Sequence, residues 1–172
     1  GLMCRMDEIC EISFKHNIPI VEDAAQAPTS TYKNKAVGSY GDVSVFSFNE
    51  PKNIMTGEGG MVTTNDQNIA VKCRLIRNHG EAIVSDDFTD QQLINIVGYN
   101  FRMTETSAAI GLCQLSKASK LISKRVEIAS RMSKEISELP GFTVPKIRKN
   151  CSHVYYVWAA KFNEELVGVS RE

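Results

Sequence analysis

Polar side chains follow two stretches of the sequence that have the pattern of strands. A carboxylate and an amide, Asp23 and Gln26, follow the apolar run that ends at Val21. Lys52 follows a second, alternating stretch, directly after Pro51, whose ring fixes the local backbone. Ligands of open α/β sheets bind at the carboxyl ends of the strands, so these three side chains are candidates for a common site.

A carboxylate and a lysine at neighbouring strand ends are the two groups that pyridoxal phosphate requires. The lysine bonds to the cofactor as a Schiff base, and the carboxylate keeps the pyridine nitrogen protonated so that the ring accepts electrons. Each residue also has an ordinary structural interpretation, in which Asp23 caps a helix, Lys52 lies on the surface and the glycines at 57–60 make a turn. Spacing alone favours the structural interpretation, and the glycine loop matches neither G-x-G-x-x-G nor the Walker A pattern.

The elements that must position these residues are predicted from periodicity and from caps. Apolar spacing predicts helices over 6–15, 68–78 and 104–139, the last with Thr104 as its N-cap. Short apolar or alternating runs predict strands over 18–21, 43–48, 61–64 and 154–162. This order of strands and helices predicts an α/β layer architecture, with the last strand beginning a separate unit.

The long helix is predicted to bury one apolar face. The residues of that face are Leu115, Ile122, Val126, Ala129, Met132, Ile136 and Leu139. Nine basic residues between 117 and 149 are interpreted as a solvated outer face, because no aromatic residues lie between them to stack on bases. Asp86, Asp87 and Asp90 are interpreted as solvated turns rather than a metal site, since their spacing fits no EF-hand loop.

Composition is that of a globular domain. The 172 residues carry 20 Lys+Arg against 20 Asp+Glu and are 42% hydrophobic, which argues against disorder and against a general nucleic-acid binder. The longest apolar run, 154–160, is far shorter than the ~20 residues of a membrane helix, and no signal peptide opens the sequence. Five scattered cysteines predict reduced, mostly buried thiols in a cytoplasmic protein, with no zinc site.

Two long motifs identify a family. The segment "IPIVEDAAQA … GSYGDVSVFSFNEPKNIMTGEGGMVTTND" closely resembles the DegT-type sugar aminotransferases, and "GYNFRMTETSAAIG" resembles the same family's second signature. The resemblance implies pyridoxal-phosphate enzymes of the aspartate-aminotransferase-like fold. Its large domain is a three-layer α/β structure, with a mixed, mostly parallel sheet between helices, followed by a small α+β domain.

The resemblance also assigns roles residue by residue. Lys52 corresponds to the Schiff-base lysine, which would also move the proton between substrate and cofactor carbons, and Asp23 to the partner of the pyridine nitrogen. Gln26 corresponds to a residue near the cofactor ring and its phenolic oxygen, and Ser47 to a donor to the phosphate. Asn100 resembles the residue that reaches the cofactor phosphate of the neighbouring subunit, which implies a homodimer with shared sites.

The reaction that the resemblance implies is a ping-pong transamination. Glutamate gives its amino group to the cofactor, which passes it to a keto sugar linked to a nucleotide diphosphate, as a precursor of polysaccharides or glycoconjugates. Three alternatives remain: a same-fold sugar dehydratase, a non-catalytic relative that binds the cofactor, and an inactive fragment. The dehydratase branch carries histidine in place of the lysine, so Lys52 favours the aminotransferase.

The resemblance covers the middle of a longer protein. We expect residues 1–140 to be the C-terminal part of the large domain with its long connecting helix, and 141–172 to be the start of the small domain. The family's phosphate-cradling loop and ring-stacking side chain would lie before residue 1. A sheet divided in this way exposes edges and apolar faces, so these residues alone are expected to fold poorly and to be inactive.

Overall fold

The computed structural model describes residues 1–81 and 96–170, which form α/β layers. The helices in these ranges are α1 (Met6–His16), α2 (Gln67–Arg77), α3 (Glu105–Ser137) and α4 (Glu164–Val167). The strands are β1 (Val21–Asp23), β2 (Thr31–Tyr32), β3 (Lys35–Ala36), β4 (Val43–Ser47), β5 (Gly60–Thr64), β6 (Phe142–Thr143) and β7 (Lys161–Phe162). The three predicted helices and the predicted strands over 43–48 and 61–64 are confirmed to within two residues at each end. The predicted turns at Asp86, Asp87 and Asp90 lie outside the described residues.

The central sheet of the described chain has the strand order β1-β4-β5. β1 and β4 are parallel, with Asp23 opposite Val45, whereas β4 and β5 are antiparallel, with Ser47 opposite Gly60. The hairpin of β2 and β3 lies within the crossover between the parallel strands. Because β1 and β4 run in the same direction, Asp23 and Ser47 end their strands at the same edge of the sheet.

The first strand lies three residues later than predicted. Residues 18–20 are committed to other bonds: the Ile18 N–H donates to Ser13 O at the end of α1, Pro19 has no N–H, and the Ile20 N–H donates to the Asp42 carboxylate. The strand is also not fully buried, since Val21 is 65% exposed. The prediction of a buried strand over 18–21 was therefore wrong in both register and burial.

Helix α1 begins and ends where the sequence predicted. Asn17 follows it in the left-handed conformation, with φ at 50°, and closes the last turn through its N–H. Its predicted apolar face is only partly used, because Met6 is buried while Ile12 is 60% exposed.

Helix α3 begins after Thr104, whose Oγ1 accepts the Ser107 N–H at 3.1 Å, as predicted for an N-cap. Its buried stripe consists of Gly111, Ala118, Ile122 and Ala129. Of the predicted face, Ile122 and Ala129 are buried, but Leu115 and Leu139 are about half exposed. Small residues take the closest positions: a Cβ built on Gly111 would lie 3.1 Å from Thr56 Cγ2. The helix therefore approaches the loop after β4 along a stripe of small side chains.

The predicted strand over 154–162 was mostly wrong. Only Lys161–Phe162 (β7) belongs to a ladder, paired with Phe142–Thr143 (β6). Residues 150–158, here called the C-terminal strap, instead lie across the first part of the chain, through the isolated bridges Leu2–His153 and Tyr32–Cys151. Val154 is 2% exposed and Tyr155 5% exposed. This part of the apolar run is therefore buried without being paired in a sheet. The division at residue 140 stays a prediction.

Apolar side chains on the edge strands are exposed, as expected for part of a larger sheet: Val21 by 65%, Met61 by 46% and Val62 by 47%. In the described ranges, no helix combines the length and the apolar character needed to cross a bilayer. All five cysteines are unpaired, but none is buried, which corrects the prediction of mostly buried thiols.

Candidate active site

Adjacent carboxylates on β1 have opposite surroundings. Side chains alternate across a strand, so Glu22 faces inward and is 7% exposed, whereas Asp23 is exposed. The Glu22 carboxylate accepts the backbone N–H groups of Gly38, Tyr40 and Gly41 at 2.7–2.9 Å, and the Ser44 hydroxyl at 3.3 Å. Glu22 therefore fixes the crossover, a structural role that the sequence motif did not reveal.

Asp23 remains available to a ligand. Its Oδ1 accepts the Ala25 N–H at 3.1 Å, and no ion pair in the described ranges includes it. The turn that follows is held on the sheet, because the N–H of Ala24 continues the ladder to Val45 O at 2.9 Å. Gln26 lies exposed in this turn. A cavity of about 480 Å³ is lined in part by Asp23 and Gln26, and also by Met3 and Met6; Lys52 does not line it.

The loop over residues 48–59, here called the lysine loop, is closed at its base by two backbone bonds. Phe48 N–H donates to Gly59 O at 2.9 Å, and Thr56 N–H donates to Phe48 O at 2.8 Å. Ser47 ends β4 just before the loop, and its Oγ accepts the Asn49 N–H at 3.4 Å, which leaves the hydroxyl proton free to donate. The loop is thus a closed unit with Ser47 at its entrance and Lys52 near its tip.

The Lys52 ammonium has an aromatic rather than an acidic neighbour. Its Nζ lies 4.6 Å from the centre of the Tyr156 ring, which belongs to the C-terminal strap. The side chain is half-buried, and none of the ion pairs formed by the described residues includes it. A half-buried amine without a carboxylate partner is suited to react with a ligand rather than to stabilise the fold.

Asn53 connects the lysine loop to the strap. It is 6% exposed, and its Nδ2 donates to Val154 O at 3.1 Å. Its Oδ1 is buried and has no hydrogen-bond partner in the described ranges. Sequence analysis missed both Asn53 and Tyr156: the first stands beside the lysine without a motif of its own, and the second lies in the run misinterpreted as a strand.

The glycine loop is held tightly against α3. Asn49 Nδ2 donates to Glu58 Oε1 at 2.7 Å, and Thr56 Oγ1 donates to Glu58 O at 2.7 Å. Gly59 has φ at 149°, and a Cβ there would lie 2.8 Å from both Met103 Cε and Thr56 Oγ1. The positive φ and these contacts favour glycine at this position, so the glycine loop is constrained where it approaches Met103, just before α3.

Asn100 lies in the segment between α2 and α3. Its backbone bridges to Asn78 at the end of α2, and its Oδ1 accepts the Arg102 N–H at 3.4 Å. The side chain is exposed, and among residues 1–81 and 96–170 it makes no hydrogen bond to Asp23, Gln26, Ser47 or Lys52. The structure therefore ends the strands of Asp23 and Ser47 at one edge of the sheet, with Gln26 and Lys52 in the segments that follow those two strands.

A sequence model of the DegT/DnrJ/EryC1/StrS aminotransferase family matches residues 1–171. The chain belongs to this family. Its resemblance to the family, predicted from the two motifs, is thereby confirmed. It is 38% identical over 167 residues to the GDP-perosamine synthase of Caulobacter vibrioides. This alignment covers 96% of this chain and 44% of that protein. The chain thus spans less than half the length of that relative.

Solved structures agree with the predicted fold. The chain superimposes with a TM-score of 0.83 on PseC, a Helicobacter pylori aminotransferase involved in the biosynthesis of pseudoaminic acid, at 30% identity over 95% of this chain and 43% of that one. It superimposes with a TM-score of 0.80 on the E. coli GDP-4-keto-6-deoxy-D-mannose-3-dehydratase with bound hydrated PLP, at 27% identity over 95% of this chain and 44% of that one. The predicted three-layer α/β fold, present as a partial chain, is confirmed.

Proposed function

We propose that the protein is a pyridoxal-phosphate-dependent aminotransferase that transfers an amino group from glutamate to a nucleotide-linked keto sugar. The observation that carries the proposal is Lys52: a half-buried amine without an acidic partner among the described residues, on a closed loop that follows β4, the strand paired with the strand that Asp23 ends. Family membership and the similarity to a GDP-perosamine synthase and to the aminotransferase PseC support the reaction class and the nucleotide-linked substrate.

The chemistry of the donor set fits the cofactor. Lys52 Nζ supplies the amine that would hold it covalently, and the exposed carboxylate of Asp23 would accept a hydrogen bond from its protonated ring nitrogen. The Ser47 hydroxyl retains a proton to donate to a phosphate oxygen. Gln26 lies three residues after Asp23, on the turn at the same edge of the sheet, where its amide would contact the ring.

These residues divide the work of a transamination between them. When bound, pyridoxal phosphate supplies an electron-accepting ring that stabilises negative charge on the neighbouring substrate carbon. Lys52 Nζ takes the proton from that carbon, and later returns it, as a general base and then a general acid. The Asp23 carboxylate stabilises the positive charge on the ring nitrogen. Ser47 binds the phosphate at the other end of the cofactor, so the ring is held in one orientation.

The proposal includes a homodimer and a cytoplasmic location. The Asn100 side chain is exposed, as expected of a side chain that reaches a neighbouring subunit's phosphate. The five unpaired cysteines support a reducing compartment, where disulfides are rare. The dehydratase alternative is not favoured, because a lysine stands where that branch carries histidine.

The test uses the full-length protein and two lysine variants. Purified protein should be yellow, lose that absorbance when glutamate is added, and regain it with a nucleotide-linked 3-keto or 4-keto sugar as an amino sugar forms. Lys52→Ala should abolish amino transfer, while Lys72→Ala, at an exposed lysine on α2, should retain it. Turnover by Lys52→Ala would contradict the proposal, and a deoxy sugar without nitrogen would identify the dehydratase.

A further inference from the structure

The Lys52–Tyr156 contact is the closest cation–π pair of the described residues and joins distant parts of the chain. Nζ lies 4.6 Å from the ring centre, compared with 5.5 Å for Lys33 over Tyr32 and 5.1 Å for Lys35 over Tyr40. Those two pairs lie within or beside the β2–β3 hairpin, and Lys33 also binds the Asp7 carboxylate at 2.6 Å. The Lys52 contact differs from both because its two residues lie 104 positions apart, on the lysine loop and on the C-terminal strap.

The Tyr156 ring is held in place from both sides. Before it, Val154 O accepts the amide of Asn53, and Tyr155 O accepts Arg125 Nη1 at 3.5 Å. After it, the Trp158 indole N–H donates to Ser133 Oγ on α3 at 2.9 Å. The strap is therefore anchored to the lysine loop and to the long helix on either side of Tyr156, which fixes the backbone that carries the ring.

An aromatic ring can position a lysine ammonium while leaving the amine able to react with a ligand. The face of the ring attracts the ammonium, but it neither accepts a proton nor forms the strong ion pair that a carboxylate would make. The long side chain loses rotamer freedom in the contact before any ligand arrives, so less ordering remains for the reaction itself.

We propose that Tyr156 is a positioning residue that holds the Lys52 side chain over the cofactor site. The inference deepens the proposed function and rests on it for the identity of the ligand. Without the ring, the four-carbon side chain samples other rotamers, and the amine reaches the cofactor aldehyde less often. The effect falls on the attachment rate and on kcat more than on KM, because Tyr156 acts through Lys52.

The first test observes the contact in the full-length protein stripped of cofactor. Lysine labelled with ¹³C at its ε carbon gives one resonance per lysine, and Lys52→Arg identifies the Lys52 signal. The ring should shift the ε-methylene protons of Lys52 upfield. Tyr156→Phe should keep this shift, Tyr156→Leu should lose it, and Phe14→Leu, at a residue 91% exposed on α1, should leave it unchanged.

The second test follows the absorbance that forms when pyridoxal phosphate is added to the same apoproteins. Tyr156→Leu should slow attachment roughly two- to tenfold, because the side chain must then be ordered during the reaction itself, and Tyr156→Phe should restore the rate. If the leucine variant melts early, Tyr156→Met provides a ring-free side chain of similar length. Loss of the upfield shift without slower attachment overturns the proposal, as does a shift that persists without the ring.

The outcomes separate this inference from the proposed function. If Lys52→Ala still transfers amino groups, the proposed function fails, although the ring contact stands in the NMR experiment. If Tyr156→Leu attaches the cofactor at the unmodified rate, the positioning role fails and the aminotransferase assignment is untouched.

Discussion

The side-chain amide of Asn53 donates from Nδ2 to the backbone carbonyl of Val154 across 3.1 Å, over a separation of 101 residues. This bond joins the residue after the candidate catalytic lysine to the fully buried centre of the C-terminal strap. The lysine loop and the strap therefore hold each other in position, and a change at either one is expected to reach Lys52.

Replacing Asn53 with Ala should destabilise the protein and disturb the site together. The change removes the bond to Val154 O and leaves a buried carbonyl unpaired, which costs about 1–3 kcal/mol. Chemical denaturation measures the loss, with Asn68→Ala on the exposed face of α2 as the control. The ε resonance of Lys52 should also broaden or shift, and an Asn53→Ala protein with unchanged stability would contradict the structural role of this bond.

Replacing Glu22 with Gln should be more damaging than its conservative appearance suggests. The carboxylate accepts three backbone N–H groups and a hydroxyl, and a glutamine amide would turn donor hydrogens toward some of those donors. We expect the free energy of unfolding to fall by about 2–4 kcal/mol, since bonds to a charged acceptor are strong and buried donors would be left unpaired.

Glu11→Gln provides the matched control for Glu22, because Glu11 is exposed on α1. Its unfolding free energy should stay within about 0.5 kcal/mol of the original protein. Equal losses in the two variants would show that the crossover does not depend on the buried carboxylate.

Gly59→Ala should be worse than Gly57→Ala. Both glycines have positive φ, at 149° and 83°, so each alanine carries a backbone penalty of about 1 kcal/mol or more. Only at Gly59 does the new Cβ meet Met103 Cε and Thr56 Oγ1 at 2.8 Å, whereas at Gly57 it meets nothing within 4 Å. The difference in melting temperature between the two variants measures the clash, and the opposite order would contradict the packing of the glycine loop against Met103.

The sequence predicted those parts of the fold that depend on local signals. Thr104 and Asn17 mark helix ends through their own side chain and backbone, so α3 and α1 could be placed without tertiary information. The alternation over residues 43–47 gave β4 and with it the position of Ser47. The motifs predicted Asp23 and Lys52 as site residues. Asp23 ends β1 and Lys52 follows β4, and these two strands are neighbours in the sheet.

Non-local partners decided the rest. An apolar run such as 154–160 has the same pattern whether it joins a sheet or is buried as an irregular strap. Here its conformation depends on hydrogen bonds to Asn53 and to α3, which lie far away in the sequence. Likewise, nothing near Tyr156 in the sequence indicates that its ring contacts Lys52. The buried state of Glu22, beside the exposed Asp23, depended on three N–H groups that lie 16 to 19 residues away.

His153 gives the strap a pH dependence whose sign can be stated. Burial lowers the pKa of His153 below its ordinary 6.5, and its Nδ1 accepts the Tyr155 N–H at 2.9 Å. The unfolded chain therefore binds a proton at a higher pH than the folded chain does. Stability contributed by the neutral imidazole is complete above pH 6.5 and is lost as the pH falls from 6.5 toward the lower folded pKa.

The measurement is the free energy of unfolding between pH 8 and pH 5 for the original protein and for His153→Gln, which cannot gain the proton. The original protein should lose stability over the acidic part of this range, and the slope should be smaller in the variant. Nδ1 is occupied as an acceptor, so protonation there must break the bond to Tyr155, the residue directly before Tyr156. Identical slopes in the two proteins would contradict the role of His153. A smaller slope in His153→Gln, together with loss of the upfield Lys52 resonance of the original protein at low pH, would show that protonation of His153 displaces the strap from Lys52.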